Sequence, residues 1–366
     1  MTSDKKDNKW QFDLEQYIIQ GEPDETEKSI AWKTAIGLQD VDGLKTSEYL
    51  LNTAKEHIEG KINIKDAKQR IESYYKQQRE RKDADERTEE ADIVAVRITE
   101  LLSEKTFNLS PVELKAIHKR LFTGILKNAG SYRTYNITKN EWVLNGETVL
   151  YAAYDSIQET LEYDFTQEKK FSYEGLTIHE AIKHIVQFVS GIWQIHPFCE
   201  GNTRTTAVFI IKYLHTFGFT INNDVFAEKS WYFRNALVRA NYNNLQENIN
   251  ETTEFLELFL ENLLMSSNHN LKNRYLHINY NANIHEKMQA NINVIPVENT
   301  LNCNLEEYAL LKLIQENPLI TQKEMATLSG KSERTIKRRT MEMQEKGLIM
   351  RENGKRRGKW VILNNK

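Results

Sequence analysis

Residues His196 to Arg204 read His-Pro-Phe-Cys-Glu-Gly-Asn-Thr-Arg, and this short stretch gathers a base, a hard-oxygen ligand, an anion cradle and a guanidinium. A neutral imidazole with an ordinary pKa near ~6.5 can take a hydroxyl proton as that oxygen attacks phosphorus, the role that suits His196. Glu200 offers a carboxylate to Mg2+, a cation that usually relies on one or two carboxylates plus the phosphates of its substrate. Gly201, Asn202 and Thr203 lead into a helix, whose first-turn N–H groups lack intrahelical acceptors and so point at an anion, with phosphate the natural guest. Arg204 follows within that turn and can fork two phosphate oxygens. Singly, each would be an ordinary loop residue. Together, at this spacing, they are the parts that phosphoryl or nucleotidyl transfer requires. Phe198 is expected to anchor the loop in the core, and Cys199 to point away from the chemistry.

Two apolar helices must hold this loop. Ile178, Ala181, Ile182, Ile185, Phe188, Val189 and Ile192 recur at helical spacing before it, and Val208, Phe209, Ile211, Tyr213, Leu214 and Phe217 follow it as far as Gly218, where a helix is expected to stop. Upstream, Ser110-Pro-Val-Glu has the N-cap, N1 proline and N3 glutamate of a helix start, predicting a helical run from Leu114 to Leu126. Alternating residues from Ser131 to Tyr151 around Asn145-Gly146 predict a β-hairpin. Residues 28–78 carry their own helical pattern, and the almost wholly charged run from Arg79 to Glu90 reads as a linker or solvated helix dividing them from the core. The asparagine-rich stretch 266–304 reads as a connector. The expected organisation is therefore an N-terminal helical region (1–82), a catalytic domain (83–265), the connector (266–304) and a C-terminal domain (305–366). The fold class is all-α with one hairpin.

Composition excludes several alternatives. The chain has 366 residues, of which 40% are hydrophobic, enough to build ordinary cores. No stretch approaches the ~20 apolar residues of a membrane span, and the first residues lack a signal peptide's apolar run, so a cytoplasmic protein without a membrane partner is expected. Two cysteines, Cys199 and Cys303, make no disulfide framework, and no Cys/His pair has zinc-ligand spacing.

The net charge of −3 conceals a basic C-terminus: eleven lysines and arginines against four glutamates lie between Lys331 and Lys359. In front of them, Thr321-Gln-Lys-Glu324 is a capping box, Ser329-Gly330 a turn and Ser332 the cap of a further helix, with Leu348-Ile349 and Trp360-Val361-Ile362 flanking a basic hairpin. This is the pattern of a winged helix-turn-helix. Arg334, Lys337 and Arg338 on the helix and Lys355, Arg356 and Arg357 on the wing are the residues expected to meet the phosphates of duplex DNA. A solvated helix or a protein-docking surface is the alternative.

Residues 196–204 resemble the signature of Fic-domain proteins, His-x-Phe-x-Asp/Glu-Gly-Asn-x-Arg-x-x-Arg. The likeness extends to Ile117-His118, Leu121-Phe122 and Ala129-Gly-Ser-Tyr-Arg133, and covers about residues 88–262. It implies a helical fold with a hairpin flap that aligns a target segment by strand addition, for which Thr148, Val149, Leu150 and Tyr151 are the docking residues. It also implies transfer of AMP from ATP, with Mg2+, to a Ser, Thr or Tyr hydroxyl of a target protein, the chain itself included. On that likeness His196 is the base, Glu200 the metal ligand, Gly201, Asn202, Thr203 and Arg204 the phosphate site, and Asn241 a nucleoside contact, with Tyr232 or Phe233 against the base.

The chain departs from the family's pattern at Ala207, where the signature has a second arginine. In the family that arginine also pairs with an inhibitory glutamate carried on a helix. The nearest counterpart here is Leu38-Gln-Asp-Val-Asp42-Gly43, in a region that resembles VbhA-type antitoxins, and with Ala207 opposite, Asp42 is expected to lack an ionic partner. Weakened or different autoinhibition follows. Phosphate transfer, transfer of another nucleotide, or a DNA-binding regulator that only senses nucleotide are the other readings of the same residues.

Overall fold

In the computed structural model, which describes residues 9–81, 85–219, 224–280, 303–352 and 358–363, helices dominate. They are α1 (Lys9–Gln20), α2 (Pro23–Gly37), α3 (Glu48–Ile58), α4 (Ile64–Arg81), α5 (Glu86–Ser103), α6 (Pro111–Phe122), α7 (Ile157–Lys170), α8 (Ile178–Ile195), α9 (Asn202–Thr216), α10 (Val225–Arg239) and α11 (Glu254–Met265), then α12 (Leu305–Glu316), α13 (Gln322–Ser329) and α14 (Glu333–Glu345). Local chemistry fixes their starts. Ser110 accepts from the Glu113 N–H ahead of α6, and Thr177 and Glu180 cap each other at α8, each cap satisfying donors that the first turn leaves open. The α6 pattern stops at Phe122 rather than Leu126, because Thr123 leaves helical geometry.

The apolar faces converge on one core. Leu14, Trp32 and Ile71 from the N-terminal helices share it with Val94, Ile185, Phe209, Phe233 and Leu260. The charged run from Arg79 to Glu90 therefore does not divide two bodies: α4 extends to Arg81, α5 begins at Glu86, and Glu89 is buried beside Arg79 at 3.5 Å. Within it Glu89 is buried and Glu90 half-buried, while Glu80, Asp85 and Glu86 stay exposed. A close approach seats α2 on α10, since a Cβ at Gly37 would lie 2.3 Å from the Ala227 carbonyl oxygen. Among the described residues no helix is long and apolar enough to cross a membrane.

The expected flap hairpin takes another form. Asn145 and Gly146 do turn, with φ of 55° and 93°, and Glu141 N–H bonds the Glu147 carbonyl at 2.9 Å. Between α6 and α7, however, no strand ladder forms. Residues Trp142–Leu144 make a 3-10 turn, and the backbone groups that a ladder would use go elsewhere: Gln194 Nε2 donates to Leu150 O at 2.7 Å and Ile278 N–H to Val143 O at 2.9 Å. Burial of Val143, Leu144, Val149 and Tyr151 holds the excursion against the core instead. The described part of the connector is not featureless either, since Asn273–Tyr275 form a 3-10 turn and Leu276 is buried.

The C-terminal unit is the expected one. Helices α12, α13 and α14 are followed by antiparallel strands β1 (Ile349–Glu352) and β2 (Lys359–Ile362), in register Ile349 with Ile362 and Glu352 with Lys359. Met325, Ile336, Met343 and Trp360 form its core, and the Trp360 indole donates to Ile320 O at 3.0 Å. Leu305 and Ala309 of α12 reach back into the main core.

Candidate functional site

The loop between α8 and α9 is a set of reversals. His196 ends α8 in the left-handed region (φ 50°), and Gly201 starts α9 there too (φ 72°). Glycine is required at 201: a Cβ would sit 2.4 Å from the Phe122 ring. Asn202 staples the turn, accepting from Phe198 N–H at 3.0 Å and donating to Phe198 O at 2.8 Å. Phe198 is buried as expected, stacked on His118 at 3.7 Å.

His196 is 3% exposed. Its Nδ1 lies 3.2 Å from the Trp193 carbonyl, which can only accept, so Nδ1 carries the proton and Nε2 keeps a lone pair. Nε2 is buried without a hydrogen-bond partner among the described residues. Burial, with Lys139, Arg133 and Arg234 nearby, holds the imidazole's pKa well below its usual value. The ring lies between Tyr151 and Trp193, at centroid distances of 4.4 and 5.2 Å.

Two residues organise this loop that reading of the motif did not assign. Arg133, buried, donates from Nε to His196 O at 2.8 Å, from Nη1 to Tyr135 O at 2.8 Å and from Nη2 to Ile195 O at 3.2 Å, while its N–H bonds Pro197 O at 2.8 Å. One guanidinium thus ties the loop to the flap excursion. His118 accepts at Nδ1 from Gly130 N–H at 2.8 Å, which leaves Nε2–H to donate to Glu200 O at 3.0 Å. Burial lowers the His118 pKa to about 4, so it is a neutral strut. Both lie in the stretch quoted for the family likeness, but nothing in their local pattern marks a role.

Glu200 is exposed at the mouth of the loop. Among the described residues no three His, Cys, Asp or Glu side chains cluster as a metal site. A single open carboxylate beside a helix N-terminus nevertheless fits Mg2+ delivered with phosphates, which supply most of that ion's ligands. Thr203 Oγ1 accepts from the Trp193 indole at 3.0 Å.

Arg204 overturns the expectation for Asp42. Asp42 does have an ionic partner: its Oδ2 lies 2.8 Å from Arg204 Nε, close though not aligned as a hydrogen bond. Glu90 meets Arg204 Nη2 at 2.6 Å, Gln39 accepts from Nη1 at 3.1 Å, and the guanidinium rests on the Phe122 ring at 4.8 Å. The acid therefore takes the first arginine of the motif where the second is Ala207. Arg87 holds the turn in place through the carbonyls of Asp42 and Gly43, at 3.2 and 3.0 Å. Glu90 was hidden in the charged run.

The base-contact residues are placed differently. Tyr232 and Phe233 are buried against Phe259, with Phe226 beside Phe233, and neither ring is offered to the loop, because α10 turns that face to the core. Asn241, just beyond α10, donates to Ser190 O at 3.2 Å and Leu237 O at 2.9 Å. On the flap, Thr148 Oγ1 accepts from Lys139 N–H at 3.0 Å, Leu150 is 83% exposed, and Val149 and Tyr151 face inward.

On α14, Arg334, Lys337 and Arg338 are exposed, the last two within 3.7 and 3.8 Å of Glu333 and Glu342. Other cations of this unit hold it together: Lys331 and Arg339 meet Glu306, both at 2.9 Å, and Lys346 meets Glu307 at 2.7 Å. Lys355, Arg356 and Arg357 lie outside the described residues.

Comparison with known proteins agrees with both units. Residues 108–214 match the model of the Fic/DOC family, and residues 307–350 that of the winged helix-turn-helix DNA-binding family. No curated protein matches the chain. The loop that holds His196 in a neutral, lone-pair-bearing form thus lies in a Fic/DOC family domain at 108–214, followed by a winged helix-turn-helix at 307–350.

Proposed function

We propose that this chain transfers AMP from ATP to a Ser, Thr or Tyr hydroxyl of a protein, itself included. The observation that carries this reading is the His196 imidazole, its proton committed at Nδ1 and its Nε2 lone pair unpartnered. As the hydroxyl oxygen bonds the α-phosphorus and the bond to pyrophosphate breaks, Nε2 takes the hydroxyl proton. The first-turn N–H groups of α9 bind the phosphates. Glu200 would hold Mg2+, which when bound supplies charge neutralisation at those phosphates. Arg204 steadies the leaving phosphates once freed.

Its present engagement supports a regulatory role for the turn that carries Asp42. Asp42, Glu90 and Gln39 offer Arg204 the oxygen contacts that phosphate would otherwise make. The lost second arginine at Ala207 favours a second reading, transfer of the γ-phosphate, because one fewer clamp fixes the orientation of the triphosphate. Incubation with ATP labelled at either the α- or the γ-phosphate separates them: label retained from α supports AMP transfer, label from γ only supports phosphorylation, and neither leaves a nucleotide-sensing regulator. In the C-terminal unit, Arg334, Lys337 and Arg338 are proposed to contact DNA phosphates.

A further inference from the structure

One buried ionic group touches this machinery without belonging to the motif. Glu141 sits in the excursion between α6 and α7 and is fully buried. Its carbonyl closes the flap turn, accepting from Leu144 and Gly146 N–H at 3.1 and 3.0 Å. Its carboxylate meets Arg234 of α10, with Nη2 donating to Oε1 at 3.1 Å and Nη1 lying 2.7 Å from Oε2. The Tyr151 hydroxyl donates to the same Oε1 at 3.4 Å, and the Tyr151 ring is the one packed 4.4 Å from the His196 ring. A chain of direct contacts therefore runs from α10 through Glu141 and Tyr151 to the base.

Stability alone is a poor account of such a group. Glu141 is fully buried and the Arg234 side chain is 16% exposed; desolvating such a pair costs roughly what it returns, and apolar replacements are often neutral or better. What the pair does supply is geometry: one charge-assisted hydrogen bond, Nη2 to Oε1, and a close ionic contact from Nη1 to Oε2 that is not aligned as a hydrogen bond, together hold the carboxylate toward α10. The carboxylate in turn accepts the Tyr151 hydroxyl at 3.4 Å, a long contact, and the Tyr151 ring packs 4.4 Å from that of His196, which ends α8 in a left-handed conformation.

We propose that Glu141 is a positioning residue of the transfer reaction: bridging Arg234 and the Tyr151 hydroxyl, its carboxylate fixes the tyrosine ring that holds the His196 imidazole in its working orientation. The proposal rests on the reading of His196 as the base. Full-length protein carrying isotope-labelled histidine reports the His196 ring without any turnover, its signals assigned by their loss in His196→Ala.

In Glu141→Ala the His196 signals are expected to broaden or split and kcat for AMP transfer to fall about tenfold or more, while ATP affinity measured by calorimetry stays within about twofold. Glu141→Gln keeps an oxygen for Arg234 and the side-chain shape, and is expected to recover most of kcat and a single His196 signal. Tyr151→Phe, which removes only the hydroxyl contact, is expected to move the His196 signals even where Glu141→Ala fails to fold. Should the wild-type chain transfer no AMP, the functional reading fails while the ring signals still decide the positioning. His196 signals unmoved in Glu141→Ala or in Tyr151→Phe, or a Glu141→Gln as impaired as Glu141→Ala, overturn the proposal.

Discussion

At the scale of single residues, the His196 imidazole is set by what surrounds it. Because burial and neighbouring cations hold the His196 pKa well below its ordinary value, the neutral form persists as pH falls through the range where an exposed histidine would protonate. The acid limb of the transfer rate is therefore expected below the ordinary histidine range near ~6.5, not within it. A kcat–pH profile with its midpoint at or above ~6.5 would contradict it. The Arg204 contacts carry a second expectation. Asp42 is partly exposed, so its pair with Arg204 is worth about 1 kcal/mol, and Asp42→Asn should lower the KM for ATP about fivefold. Steady-state kinetics showing an unchanged or raised KM would remove Asp42 from any inhibitory role. The roles proposed for His196 and Glu200 rest on residue type and spacing, because the chemistry proposed for them is local. The partner of Asp42 could not be read that way, because residues 42 and 204 meet only through the tertiary packing of α2, α5 and α9.

At the scale of elements, the helices were legible where apolar spacing and caps coincide, as in α8 with its Thr177–Glu180 box. They were not where charge hid a buried face: the start of α5 reads as solvated, yet Glu89 is buried and Glu90 reaches Arg204. The flap differs from its sequence pattern for a related reason: alternation from Ser131 to Tyr151 predicts strand pairing, whereas Val143, Leu144, Val149 and Tyr151 pack into the core and the carbonyls of Leu150 and Val143 meet Gln194 and Ile278. The placement of Asp42 depends on how α2 seats on α10. A methyl group at Gly37 would meet the Ala227 carbonyl oxygen at 2.3 Å, so Gly37→Ala should cost about 1–3 kcal/mol and loosen the turn that begins at Leu38. Thermal denaturation should show the loss, together with a lower KM for ATP. Unchanged stability would mean that α2 does not sit where it is described.

At the scale of the molecule, α12 belongs to both cores, with Leu305 and Ala309 in one and Leu310 and Ile314 in the other. Contact between the units is close: a Cβ at Gly218, beyond the end of α9, would lie 3.2 Å from Ser329 Cβ. The loop 196–204 and the turn at Ser329 thus lie at the two ends of α9, and duplex binding is measured on the whole chain. Replacing Arg334 or Lys337 by Ala should weaken binding to unrelated duplexes alike and reduce the slope of log K against log salt by about one each. An unaltered slope would place the phosphate contacts elsewhere. The central claim is that a Fic/DOC site with a poised His196 transfers AMP. It is tested most directly by single-turnover labelling with α-labelled ATP, wild type against His196→Ala at equal protein and Mg2+. The account predicts label on wild-type protein and a rate at least about 100-fold lower in the variant; equal labelling of the two would contradict it.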